Sequence, residues 1–507
     1  MHYNFIRNKI TITVFLASLL TFNGFSQEFD STAWKYAKTI TSKELSKKLQ
    51  IIASDEMEGR ETGKLGQKIA MQYLINEFKS YGVGDHLFIN YKQSFPLLEQ
   101  ENKGIELSIN GKELEFNKDF VFTPNVYGNK SWNSEIVVVG LGVSNAVQDD
   151  YKELDVKNKA VFIWNGKKEM NDIDSSWTIE NSIQTAREKG ATAIFTYNKN
   201  LEQNLAKYSH YYEKPKTILL DDLVNNDAPV ISLTKKATEK LLKAGGVKLK
   251  KIEKKGAKKI KQSTIPFKMN VDKPSVELTG ENIIAYIEGT DLKDELVIIT
   301  AHYDHIGKKD SIIYNGADDD GTGTASLLEI AQAFTKAARE GHRPRRSVLI
   351  MPVSGEEKGL LGSKYYTNHP LFPLENTVAN LNIDMIGRYD ENHEVGDNYV
   401  YLIGADKLSS ELHQLSEEVN KTYTNLGLDY TFNDKNDPNR FYYRSDHYNF
   451  AKNNIPVIFY FSGVHEDYHQ PTDTFDKIDF NKTERIARLV FMTAWELVNR
   501  EERIKLD

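Results

Sequence analysis

The chain contains no cysteine among its 507 residues. Disulfides, thiolate metal sites and a cysteine nucleophile are therefore excluded. Any metal must be held by His, Asp and Glu, which favours zinc or manganese in a hydrolytic site over an iron–sulfur or blue-copper centre. Charge of one sign is also scarce. The formal net charge of −7 is mild for this length, and no nucleic-acid partner is expected. Beyond the N-terminal segment no stretch reaches the ~18 apolar residues of a membrane helix, so no stable span is expected once that segment is removed.

A hydrophobic content of 40% with 27% charged residues describes a soluble globular protein, and the length predicts two or three domains. At the start, Arg7 and Lys9 precede an apolar run over 10–22, followed by Gly24, Phe25 and Ser26. That order is a secretory signal peptide over 1–26, cut near Ser26–Gln27, and it predicts an exported protein, periplasmic or secreted. The competing reading is a single membrane anchor, but Thr11, Thr13, Ser18 and Thr21 interrupt the run. With no cysteine near the cut, a lipoprotein anchor is excluded.

Residues 40–82 read as helical, broken at 55–66 by DEMEGRETGKLG, with Gly82 as a stop. The EGRETG loop puts two polar groups, Glu58 and Arg60, on a short connection and is a candidate site, but the favoured reading is a helix–helix turn with local ion pairing. Residues 86–126 alternate apolar and polar around an Asn110-Gly111 hairpin turn and read as peripheral β structure. Over 128–255, apolar runs at 136–139, 160–164, 193–197 and 230–233 alternate with helices at 183–189 and 235–244, without any chemical motif. A lysine-rich run from Lys248 to Lys261 follows and reads as a solvated edge or linker. From Pro274 onward, strands at 283–288, 296–300, 347–353, 378–383, 399–403 and 456–460 alternate with helices at 324–339, 409–422, 447–453 and 480–500. The expected fold is α/β: a mixed, mostly parallel central sheet with helices on both faces, plus a smaller inserted β/α domain. The expected boundaries are 27–127 for the N-terminal part of the catalytic domain, 128–262 for the insert and 263–507 for the main catalytic part.

Five places offer metal ligands, each past a predicted strand or in a loop: His302 in H-x-D, one of Asp318–Asp320, Glu356-Glu357, Asp384 and His469. In open α/β sheets, ligands bind beyond the carboxyl ends of the strands. Two His, two Asp and one Glu can hold two metals with a shared carboxylate and leave room for water and substrate. Of the adjacent glutamates, one can ligate while the other stays free as a general base. Asp304 is expected to accept the other ring N–H of His302. His305 could be a sixth ligand, but its odd offset from His302 points it elsewhere, and a supporting or surface role is expected. Asp446 is expected to buttress the site, with helix capping by Ser445 or Asp446 as the plain alternative.

The stretches AHYDHIG, NGADDDGTG, SGEEKGLLGS, NIDMIG, RSDHYNF and YHQPTDT closely resemble, in order, those of the M28 family of zinc metallopeptidases, over roughly 40–125 and 275–500. The resemblance implies the co-catalytic zinc aminopeptidase fold, with two zinc ions per chain and peptide substrates. It implies His302 and Asp384 on one zinc, Glu357 and His469 on the other, and Asp319 bridging, although a slip to Asp318 or Asp320 stays open. It also implies Glu356 as general base, Tyr468 as a stabiliser of the tetrahedral intermediate and Arg444 as a substrate-facing group. The insert, with GATAIF and PVISL, resembles a non-catalytic protease-associated (PA) domain.

Three other functions compete with an aminopeptidase. A carboxypeptidase on the same fold would need cations such as Arg388, Arg440 or Arg444 for the substrate carboxylate. A glutaminyl cyclase keeps a single zinc, and the full ligand set speaks against it. A non-catalytic binding relative would have lost ligands or the base. Side-chain preference and oligomeric state have no readable code.

Overall fold

The computed structural model describes residues 29–85, 89–122, 128–145, 148–165, 178–213, 215–223, 228–248 and 264–507. The signal-peptide segment 1–26 lies outside the described residues, as does the lysine-rich run after Lys248.

Seven strands form the sheet that carries the site: β1 (Ala285–Ile287), β2 (Leu292–His302), β3 (Arg346–Val353), β4 (Thr377–Ile383), β5 (Tyr399–Ile403), β6 (Gly427–Asp429) and β7 (Val457–Phe461). Their spatial order is β1-β3-β2-β4-β7-β5-β6. β3, β2, β4 and β7 run parallel, while β1 and β5 join antiparallel to β3 and β7. The helices around this sheet include α1 (Ser42–Ile52), α2 (Leu65–Ser80), α3 (Gly323–Arg339), α4 (Leu361–Asn368), α5 (His447–Ala451) and α6 (Phe480–Asn499).

β2 is apolar on both sides because both sides are covered. Val297 and Ile299 pack with Leu327 of α3 and Leu489 of α6, whereas Leu296 and Ile298 pack with Tyr366 of α4 and Phe450 of α5. The chain passes from β2 through α3 to β3 on one side, then returns through α4 to β4 on the other. The strand order therefore reverses at β2, and a crevice opens beyond the carboxyl ends of the four parallel strands. α1 is capped by Thr41, whose side chain accepts from the Glu44 N–H, and buries Leu45, Leu49 and Ile52 at helical spacing. α2 stops where predicted, at Gly82, whose φ of +73° a side chain would strain. Among the described residues no helix is long and apolar enough to cross a membrane.

A second sheet has eight strands, and its parallel centre is Lys130–Gly140, Ala160–Ile163, Ala193–Tyr197 and Val230–Leu233. Its extent departs from the 128–262 span read in the sequence. Gly104–Ile109, Lys112–Leu114 and Phe120–Phe122 belong to this sheet rather than to the periphery of the catalytic part, and Ile265–Asp272 pairs between Gly104–Ile109 and Lys130–Gly140. Alternation identifies a half-buried strand but not the core it faces. Here Leu107 and Ile109 share a core with Phe162, Phe267 and Met269. The Asn110-Gly111 turn is as read, with positive φ at both residues. A third, antiparallel sheet of Ser275–Ile283, Lys92–Gln100 and Lys216–Leu219 ties the two larger ones together.

Candidate metal centre

β2 delivers His302, β3 leads into Glu356-Glu357, β4 into Asp384 and β7 into the loop with Tyr468 and His469. The loop Ala317–Thr322, just ahead of α3, adds Asp319. Asp319 stands between two histidines, with Oδ1 3.2 Å from His302 Nε2 and Oδ2 3.2 Å from His469 Nε2. Asp384 Oδ1 lies 3.5 Å from His302 Nε2, and Glu357 Oε2 lies 3.2 Å from His469 Nε2. Glu356 Oε2 reaches 3.9 Å from His302 Nε2. The structure thus brings together all five side chains read as ligands and the free acid beside them.

The residues fit a metal. His302 Nε2, Asp319 Oδ2, Asp320 Oδ2 and Glu357 Oε1 are buried without a hydrogen-bond partner. Each such atom costs ~1–3 kcal/mol, and buried polar groups are otherwise paired. Two trios, His302/Asp320/Asp384 and His305/Asp319/Glu357, each gather their donor atoms within 4.8 Å. Imidazole nitrogens with carboxylate oxygens suit zinc in a cysteine-free site.

Of the three aspartates, Asp319 alone contacts histidines of both trios. Asp318 Oδ1 accepts from the Gly387 N–H at 2.7 Å and the Thr322 hydroxyl at 3.0 Å. Asp320 Oδ1 accepts from the N–H groups of Gly323 at 2.9 Å and Met385 at 3.1 Å. Asp473, from the His469 loop, accepts from the N–H groups of Asp318 and Asp319 at 3.1 Å, which locks the two loops together.

The supporting residues differ from the sequence reading in four places. His302 Nδ1 sits 3.0 Å from the backbone carbonyl of Asp304, not from its carboxylate, which is 3.8 Å away. That carboxylate accepts instead from the Thr62 hydroxyl at 2.6 Å and the Glu356 N–H at 3.3 Å. Asp446 accepts from the Ser363 hydroxyl rather than touching a ligand, and its side chain does not cap α5. The residue that grips Asp384 is Ser445, whose hydroxyl donates to Oδ2 at 2.7 Å while accepting from Asn382 Nδ2 at 2.9 Å. His305 faces the site rather than the surface: it is fully buried, with Nδ1 2.9 Å from Glu357 Oε1.

The EGRETG segment is also more than a turn. Arg60 is fully buried and donates to the carbonyls of Ile52 at 2.8 Å, Tyr303 at 2.8 Å, Asn315 at 2.6 Å and Gly316 at 2.9 Å. Its guanidinium thereby joins the turn after β2 to the aspartate loop. The segment's glutamates pair across the fold rather than locally, Glu58 with Lys308 at 2.6 Å and Glu61 with Lys358 at 2.8 Å. The one signal in the sequence was an arginine in a loop too short to solvate it.

Burial pushes the Glu356 carboxyl up; His302 opposes the shift, while Glu357, Asp384 and Asp446 reinforce it. Burial and Asp319 act the same way on Glu357, yet His305 and His469 overcome them and hold it at about 2. Two adjacent glutamates are thus driven apart by their partners. A pocket of about 30 Å³ opens onto Asp319, Glu356 and Asp384, walled by Met385, Phe441, Phe459, Phe461 and Val464, with Arg444 and Tyr468 also lining it. Tyr468 stacks on His469, with ring centroids 3.8 Å apart. Arg444 lies over Phe441 at 4.7 Å. Arg388 is tied to Asp467 at 2.9 Å, and Arg440 lies over Tyr443 outside this pocket.

A mostly parallel sheet delivers histidines and carboxylates to one crevice, with a further acid beside them, in groups that could hold metal ions. Residues 282–494 match the model of peptidase family M28. The chain is similar to a probable zinc metalloprotease of Pyrenophora teres, 26% identical over 281 residues, covering 46% of this chain and 53% of the relative. It is also similar to aminopeptidase YwaD of Bacillus subtilis, 24% identical over 308 residues, covering 58% and 62%. The chain therefore spans little more than half the length of these curated relatives. Among solved structures, an aminopeptidase from Aneurinibacillus shares the fold at a TM-score of 0.55 and 20% identity, covering 93% of this chain and 97% of that one.

Proposed function

We propose that this chain is an exported dizinc exopeptidase, an aminopeptidase that removes N-terminal residues from peptides. The observation that carries the reading is the convergence of His302, Asp319, Glu357, Asp384 and His469, with Glu356 alongside. Asp319 would be shared between the ions, His302 and Asp384 would hold one, and Glu357 and His469 the other. When bound, the ions supply Lewis acidity that acidifies water and polarises the scissile carbonyl. Glu356, its backbone N–H held by the Asp304 carboxylate, takes the proton from the attacking water and returns it to the leaving amine. Tyr468 donates its hydroxyl hydrogen to the developing oxyanion. The carboxylates that line the pocket suit a substrate ammonium, and its apolar walls suit the first side chain. The names of the relatives support zinc and peptide substrates. The second sheet takes the place of the PA-like insert and would shape access to the crevice.

Arg444 on the same pocket is the observation that favours the alternative, a carboxypeptidase. Zinc content together with hydrolysis of N-blocked and C-blocked peptides and a panel of aminoacyl chromogenic substrates tests both readings. An aminopeptidase cleaves C-blocked peptides and leaves N-blocked ones intact, and the reverse pattern contradicts it. Glu356→Gln should retain zinc yet lose ~10²–10⁴-fold in turnover, and normal activity in that variant would remove the base assignment.

A further inference from the structure

Both ring nitrogens of His305 are buried without a hydrogen-bond partner. Nδ1 lies 2.9 Å from Glu357 Oε1 and 3.7 Å from Asp319 Oδ2. At 2.9 Å a well-aimed N–H would make a hydrogen bond, but the angle here does not. Together with Asp319, these groups bring their donor atoms within 4.8 Å of one another, close enough to share one ion. His469 approaches the same two carboxylates, 3.2 Å from each, with its ring centroid 5.9 Å from that of His305. The His305 ring is also held in place. Its backbone N–H donates to the Arg60 carbonyl at 3.2 Å, and a Cβ on Gly316 would stand 2.5 Å from the imidazole carbons, so only glycine leaves room for the ring.

We infer that His305 is a further metal ligand on the Glu357 side of the centre. This rests on the two-zinc reading above. That side then has two histidines, His305 and His469, with Glu357 and the shared Asp319, against one histidine, His302, with Asp384, the shared Asp319 and the neighbouring Asp320 on the other. The two ions are therefore unequal. The side with two imidazoles holds its zinc more tightly than the side with one.

The test compares the wild-type full chain with His305→Ala and His305→Asn. Zinc is measured by elemental analysis after equilibration in graded chelator buffers, and the visible absorption of the cobalt-loaded proteins is recorded in parallel. The wild type should hold two ions, one released at higher chelator than the other. Both variants should weaken the tighter ion by more than the ~10–100-fold that loss of a supporting hydrogen bond costs, with a changed cobalt band. Wild-type affinity for both ions would overturn the inference. So would a loss within that window with an unchanged spectrum, which makes His305 a support for Glu357. Fewer than two ions on the wild type would instead strike the dinuclear reading itself. His305→Asn retains a polar side chain, so the comparison survives if the alanine variant does not fold.

Discussion

Asp319 turns one oxygen toward His302 and the other toward His469, and the rest of the site is arranged around that orientation. Its neighbours Asp318 and Asp320 spend one oxygen each on backbone N–H groups of the 385–387 turn. Ser445 plays the same orienting part for Asp384. Ser445→Ala should therefore weaken zinc binding by ~10–100-fold, measured by chelator competition, with little change in fold stability; unchanged affinity would show that Asp384 is oriented by other means. The residues proposed as ligands stood out in the sequence because acids and histidines recur just past apolar strands. Their supports were not. A serine hydroxyl carries no periodic signal, and the choice between the carbonyl and the carboxylate of Asp304 depends on how one turn closes.

At the scale of elements, the centre depends on how three loops are pinned to strand and helix ends. Arg60 does this from outside the sheet, so Arg60→Lys should strand at least two buried carbonyls and cost about 3 kcal/mol or more by urea unfolding, with weaker zinc retention. Stability within ~0.5 kcal/mol of wild type would contradict the clamp. In the first turn of α6, burial pushes the Lys482 ammonium down to about 7 while Asp318, Asp390 and Asp479 pull it back. Its unfolded value is ~10.4, so between about 7 and ~10 the unfolded chain binds the extra proton and folding stability rises with pH. Stability measured across that range should climb in the wild type relative to Lys482→Met, and parallel curves would contradict the shift. Element types were legible, as at Ala193–Tyr197 and Lys235–Ala244, where the boundaries agree residue for residue. Sheet membership was not, because Gly104–Ile109 pairs with a strand some 160 positions away.

Across the whole molecule, the two large sheets are joined through the three-stranded one, where Phe95, Leu97, Leu219 and Leu361 form a small apolar cluster. Around it lies the Lys364–Asp222 ion pair, at 2.6 Å and about a third exposed. Burial should dominate this junction. Leu219→Ala is expected to cost ~2–5 kcal/mol and Asp222→Ala less than ~1 kcal/mol, both by chemical denaturation; a reversed ranking would mean that ion pairs hold the units together. The seven-stranded sheet was foreseen because its strands are continuous apolar runs. The reach of the second sheet was not, because its outer strands come from both sides of the expected insert. The whole arrangement serves one outcome, in which strand ends and loops far apart in sequence share the Asp319 carboxylate. Equilibrium zinc content of the wild type and Asp319→Ala tests this most directly. The account predicts two ions per wild-type chain and one or none in the variant. Two ions retained without Asp319, or fewer than two with it, would contradict a centre shared through that side chain.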